Sequence, residues 1–150
     1  MPTHSQIDKL VAAAREASRR AYAPYSKFHV GAAVIAGGDI FTGCNVENAS
    51  YGLTICAERN AIASAVAAGH KKIDALAIFT DTDAPTTPCG ACRQVMAEFT
   101  PARDGKASET GGTEEFRIYV ACASGPAVDY ALDELLPRAF RKGSFDPEGT

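Results

Sequence analysis

The chain has 150 residues, 46% of them hydrophobic, which suits one folded domain over 1–150 and excludes a disordered chain. Fifteen basic residues against eighteen acidic ones give a net charge of −3, which argues against a surface built to track phosphates, so no nucleic-acid partner is expected. No apolar run approaches the roughly 18 residues of a membrane span, and Met1–Leu10 carries His4, Ser5, Gln6 and Asp8 where a signal peptide would be apolar. A cytoplasmic protein with no membrane partner is expected, and structural disulfides are rare in that compartment. The five cysteines, an odd number, then need another explanation.

The first segment has the spacing of an amphipathic helix: Ile7, Leu10, Val11 and Ala14 recur at i, i+3, i+4, i+7. Pro24 predicts its end near Ala23. A strand over about Phe28 to Ile35, a turn at Gly37-Gly38-Asp39 and a strand over about Ile40 to Val46 form a predicted hairpin. Helical character resumes near Cys56 and runs through the alanine-rich stretch to Ala68, with Gly69 as C-cap. Ala75 to Thr80 is a buried strand, and Asp81 to Pro88 a loop. A third helix starts near Cys89, with Cys92, Val95, Met96 and Phe99 on one face, and stops at Pro101. The stretch at about 101–115 is charged and rich in Gly, Ser and Thr, an expected exposed loop. Phe116 to Cys122 is a strand, Val128, Tyr130 and Leu132 alternate as another, and Asp133 to Phe140 can form a short helix broken around Pro137. Residues 142–150 have the composition of a tail. The order α-β-β-α-β-α-β-β-α predicts one mixed sheet covered by helices, an α/β sandwich.

Chemistry concentrates in the cysteines. Cys89 and Cys92, in Pro-Cys-Gly-Ala-Cys, can point both sulfurs one way at a helix start. Cys56 opens another predicted helix, with Glu58 two positions on, and the two can converge only at a first turn seen end-on. Helix N-termini favour thiolates through free N–H groups and the positive dipole end. Three thiolates suit a tetrahedral zinc with one open position, Glu58 then acting as a proton shuttle rather than a ligand. Their charge exceeds that of the metal by one, and Arg59 is the natural counterweight. An isolated C-x-x-C also fits a redox pair, or half of a closed structural zinc site to which Cys44 or Cys122 could add a ligand. Cys-Ala-Glu followed by Pro-Cys-x-x-Cys is the stronger joint signal, and it matches the zinc-deaminase signature. Cys44 and Cys122 remain as buried strand thiols.

The match extends beyond the metal. The sequence resembles the small homotetrameric cytidine deaminases of the three-cysteine zinc type through Ala23-Pro24-Tyr25-Ser26-Lys27-Phe28-His29-Val30-Gly31-Ala32-Ala33 and Gly43-Cys44-Asn45-Val46-Glu47-Asn48-Ala49-Ser50-Tyr51-Gly52. It continues through Cys56-Ala57-Glu58-Arg59, Pro88-Cys89-Gly90-Ala91-Cys92-Arg93-Gln94-Val95 and Glu134-Leu135-Leu136-Pro137-Arg138-Ala139-Phe140. The resemblance implies a three-layer α/β/α sandwich with a mixed, about five-stranded sheet. It implies one zinc ion per chain on Cys56, Cys89 and Cys92, with Glu58 catalytic and Arg59 balancing charge. It places Phe28 on the pyrimidine ring, Asn45 and Glu47 on the sugar, and the Ala57 N–H on the 2-oxo group. Phe140 enters a neighbouring subunit's site, and Tyr51 lies near the subunit boundary. His4, His29 and His70 match no ligand position. The implied reaction is deamination of a free pyrimidine nucleoside, cytidine or 2′-deoxycytidine, in pyrimidine salvage. The stretch from Pro101 to Glu115 is longer than the family's usual connection. Related deaminases acting on blasticidin or polynucleotides would keep the zinc motif, but Asn45, Glu47 and the lack of a basic stripe favour a free nucleoside.

Overall fold

A computed structural model describes residues 1–100, 116–142 and 145; the expected loop at 101–115 and most of the expected tail lie outside them. The elements in order are α1 (His4–Ser18), β1 (Val30–Ala36), β2 (Asp39–Cys44), a 3₁₀ turn at Tyr51–Leu53, α2 (Ala57–Ala67), β3 (Ala75–Thr80), α3 (Gly90–Glu98), β4 (Arg117–Cys122), β5 (Val128–Ala131) and α4 (Leu132–Leu135). The strands form one five-stranded sheet in the order β2-β1-β3-β4-β5. β3 and β4 are parallel and the other pairs antiparallel, so the sheet is mixed as expected.

Alternation along the central strands sorts their side chains into two layers. Ala32, Val34, Leu76, Ile78, Ile118 and Val120 face the layer holding Ile62 of α2 and Met96 of α3. Ala33, Ile35, Ala77, Phe79 and Tyr119 face Leu10 and Ala14 of α1. The sandwich is therefore helix, sheet, helix. Small residues bring helix and sheet backbones close. At Gly31 a Cβ would sit 1.9 Å from the Ala14 carbonyl, and at Gly43 it would sit 2.3 Å from the Ala61 nitrogen and 2.6 Å from the Ala57 carbonyl. Only glycine lets α2 rest on β2 at that depth, and α2 carries the first cysteine of the site. Among the described residues no helix is long and apolar enough to cross a membrane.

The boundaries depart from expectation in two regions, around Tyr22 to Val46 and after Leu135. Helix α1 begins at a Thr3–Gln6 capping box but stops at Ser18 rather than near Ala23. Beyond it Tyr22 pairs with Val46: its N–H donates to the Asn45 carbonyl at 3.0 Å and its carbonyl accepts from Glu47 N–H at 2.8 Å. Extended pairing at Tyr22 is incompatible with continued helix. β1 starts at Val30 rather than Phe28 because Lys27 holds a left-handed φ of 58° just before it. The hairpin's second strand ends at Cys44 because Val46 bridges Tyr22 and Ile55 instead of continuing the β1 ladder. The last helix is one turn, Leu132–Leu135; Pro137 and the left-handed Arg138 (φ 56°) rule out its continuation to Phe140.

Candidate active site

Cys56 is the N-cap of α2 and Cys89 the N-cap of α3; both are extended there, and neither spends its side chain on capping. Cys92 lies one turn into α3 and is fully buried. The three sulfurs lie within 4.8 Å of one another, Cys56 to Cys89 at 3.9 Å. Tetrahedral zinc with bonds of about 2.3 Å needs sulfurs roughly 3.8 Å apart, so the donor set and its spacing fit that ion. Two helix N-termini converge on it, adding positive potential where thiolate charge gathers.

The surrounding charges are arranged accordingly. Arg59 donates from Nη2 to the Cys56 sulfur at 3.4 Å. A hydrogen bond with Cys92, helped by Arg59 and Cys89, pulls the Cys56 thiol down to about 5. Cys92 moves the other way, held protonated by that same bond and by burial. The pair thus keeps one thiolate and one proton, which a soft divalent cation would displace. Glu58 sits beside them, only 5% exposed, and its burial, with the Cys56 charge adding, pushes the carboxyl above the ordinary range.

Long-range contacts place this cluster. Ile55, just before Cys56, exchanges two backbone hydrogen bonds with Val46, at 2.9 and 3.0 Å. Asn60 of α2 donates to the Cys44 carbonyl at 2.8 Å, and Arg93 of α3 donates from Nε to the Pro88 carbonyl at 2.7 Å, fixing the approach to Cys89.

Val46 also joins the cluster to a second group of side chains. Asn45 is buried, its Oδ1 accepting from Val30 N–H at 2.9 Å and its Nδ2 donating to the Phe28 carbonyl at 2.7 Å. Glu47 Oε1 accepts from Tyr25 N–H at 3.0 Å and Ser26 N–H at 3.1 Å. The Ser26 hydroxyl, then these N–H groups and the charge of His29, hold its carboxyl below the usual range against the desolvation that raises it. Tyr25, Ser26, Glu47, Tyr51 and Thr54 line a cleft of about 230 Å³, with Tyr25 and Tyr51 edge to face at 5.7 Å. Phe28 stands partly exposed at 38%.

Residues 4–104 match the family model of the cytidine and deoxycytidylate deaminase zinc-binding region, a span that contains all three cysteines and Glu58. The chain belongs to the cytidine deaminase family. It is 42% identical to the cytidine deaminase of Sporosarcina psychrophila over 137 residues, 91% of this chain and 92% of that one. It is 43% identical to that of Halalkalibacterium halodurans over 132 residues, 87% of this chain and 91% of that one. The crystal structure of cytidine deaminase from Burkholderia pseudomallei superposes with a TM-score of 0.76 at 44% identity, covering 93% of this chain and 100% of that one. That from Mycobacterium tuberculosis superposes with a TM-score of 0.70 at 38% identity, covering 89% and 96%.

The expected family residues thus form two neighbouring groups. Cys56, Cys89, Cys92, Glu58 and Arg59 gather around the sulfurs, with Ala57 as the first residue of α2, where N–H groups lack intrahelical acceptors. Phe28, Asn45 and Glu47 gather around the chain at 25–30. Phe140 is apart from both: it is 62% exposed, stacks on Phe145 at 5.9 Å, and its carbonyl accepts from Gln94 at 2.8 Å. All five cysteines are free thiols. Cys122 is buried as expected, whereas Cys44 is only half-buried because it ends the edge strand β2. Neither His29 nor His70 belongs to the sulfur cluster: His29 rests on the Lys27 carbonyl near Glu47, and His70 on the Phe41 ring. Sequence reasoning assigned no role to Tyr25, Ser26 or Thr54; only their neighbourhood to Phe28 and Cys56 pointed to them.

Proposed function

We propose that the chain catalyses zinc-dependent hydrolytic deamination of free cytidine and 2′-deoxycytidine, giving uridine or 2′-deoxyuridine and ammonia in pyrimidine salvage. The observation that carries this reading is the sulfur cluster at two helix N-termini with the buried acid Glu58 beside it. Cys56, Cys89 and Cys92 would hold the zinc, which would supply a Lewis acid that lowers the pKa of water towards neutrality. Arg59 offsets the surplus thiolate charge through its contact with Cys56.

Glu58 accepts a proton from water and delivers it to N3 of the cytosine ring as the water oxygen adds at C4. It then accepts the hydroxyl proton and delivers it to the C4 amino group, which leaves as ammonia. A carboxyl raised by burial suits both the accepting and the donating step. Phe28 packs on the ring and the Ala57 N–H meets the 2-oxo group. Asn45 keeps one Nδ2 proton, and the Glu47 carboxylate keeps lone pairs beyond its bonds to the Tyr25 and Ser26 N–H groups, a donor and an acceptor for a sugar hydroxyl.

The protein works as a single-domain subunit in a cytoplasmic homotetramer of the three-cysteine type, with shared sites. Phe140 reaches a neighbour's site and Tyr51 lies near the boundary, which accords with the exposure of both rings. Deamination followed by ultraviolet absorbance tests the reading. Cytidine is expected to turn over with one zinc per chain, and a zinc chelator to abolish turnover. Turnover confined to single-stranded DNA, or unaffected by metal removal, would overturn it.

A further inference from the structure

The motif that ends in Cys92 continues with Arg93 and Gln94, whose side chains reach across to the C-terminal segment. Arg93 Nη1 donates to the Leu135 carbonyl at 2.8 Å, while its Nε holds the Pro88 carbonyl at 2.7 Å and its Nη2 the Thr87 hydroxyl at 3.2 Å. Gln94 Nε2 donates to the Phe140 carbonyl at 2.8 Å. Adjacent residues of α3 thus hold both ends of the loop between Leu135 and Phe140, which turns through Pro137 and the left-handed Arg138. Arg141 fastens the chain beyond, donating to the Ala97 and Thr100 carbonyls. Yet the Phe140 ring itself is 62% exposed. Its backbone is fixed while its side chain is offered outward.

From this geometry we propose that Arg93 and Gln94 are positioning residues that set where Phe140 is presented to a neighbouring copy. One short helix then fixes two sulfurs of its own site and the aromatic lent to another. The proposal rests on the reading that Phe140 completes a neighbour's nucleoside site. Arg93 does this with a planar fork that serves three acceptors on two segments, a geometry lysine cannot reproduce. Gln94 does it with one amide N–H, which glutamate replaces with an acceptor facing the Phe140 carbonyl, and methionine with no donor at all.

The test compares Gln94→Glu, Gln94→Met, Phe140→Ala and the double variant Gln94→Met/Phe140→Ala, with cytidine as substrate and zinc per chain measured throughout. Gln94→Met is expected to raise KM about two- to tenfold, as loss of one directed hydrogen bond would, with kcat within about twofold and zinc unchanged. Gln94→Glu raises KM further. The double variant matches Phe140→Ala alone, since both substitutions act through one ring. Amide hydrogen exchange at 136–141 accelerates in Gln94→Met while that of α2 does not, a readout that stands even where Gln94→Glu fails to fold. If Phe140→Ala leaves KM unchanged, the shared-site reading fails and the proposal with it. If Phe140→Ala raises KM but the Gln94→Met effect multiplies with it, or falls on kcat or zinc, the proposal alone is overturned.

Discussion

The sulfur cluster and the cleft lined by Tyr25, Glu47 and Tyr51 meet through Val46, but they are made differently. The cluster is set at two helix N-termini, its acid only 5% exposed and its helix seated on a glycine that leaves no room for a side chain. The cleft is made of loop segments around Tyr25, Glu47 and Tyr51, held by hydrogen bonds to backbone, with Tyr25 at 46% and Tyr51 at 75% exposure. Chemistry that needs fixed sulfur distances and a desolvated acid is completed inside one chain. The cleft, by contrast, leaves much of its aromatic surface exposed on the single chain.

Substitutions in the two halves should therefore fail in different ways. Glu58→Gln should lower kcat by about 10²- to 10⁴-fold while zinc content, read by atomic absorption, stays the same; normal turnover would refute the role of Glu58. Gly43→Ala should disturb the same half without touching a ligand, because its Cβ would overlap the Ala61 nitrogen and α2 must move. Overpacking of this kind costs roughly 1–3 kcal/mol, measurable by urea denaturation, and kcat should fall with it. In the cleft, Asn45→Leu leaves the Phe28 carbonyl and Val30 N–H without their partner. The expected loss is about 1–3 kcal/mol of stability, with KM rising and kcat changing less; a loss confined to kcat would erase the distinction between the halves. The smallest effect concerns Glu47, whose lowered pKa sets the sign. Its contribution is present above the ordinary value of about 4.3 and is lost as pH falls through the lower folded value. NMR titration of the Tyr25 and Ser26 amides should thus inflect below pH of about 4.3, and an inflection at or above it would contradict the anchoring.

The same division governs what could be read from residues alone. Cys56, Cys89 and Cys92 were legible because their convergence depends on two local helix starts and a three-residue spacing. The sheet was legible because alternation and continuous apolar runs mark its central strands. The ends of α1 and β2 were not, because Tyr22 and Val46 override local preference through partners distant in sequence, and the start of β1 was hidden by the left-handed turn at Lys27. Only the resemblance put Asn45 on the sugar; its residue type and place alone suited a structural polar group, and most of its amide does brace the backbone beside Phe28. The closure of the Phe140 loop was equally hidden: its donors lie 42 and 46 residues from their acceptors, and nothing in the Arg93-Gln94 pair announces the target.

The paired bonds between Val46 and Ile55 also separate two design problems. They act as a clasp, so the chain between them is a closed loop whose ends do not depend on its contents. Lengthening it costs only about 0.6 kcal/mol for each doubling, and at Gly52 an added side chain meets nothing within 4 Å. Chain inserted at Gly52 is therefore expected to leave Cys56 in place, so that zinc content per chain stays unchanged while the loop itself is rebuilt.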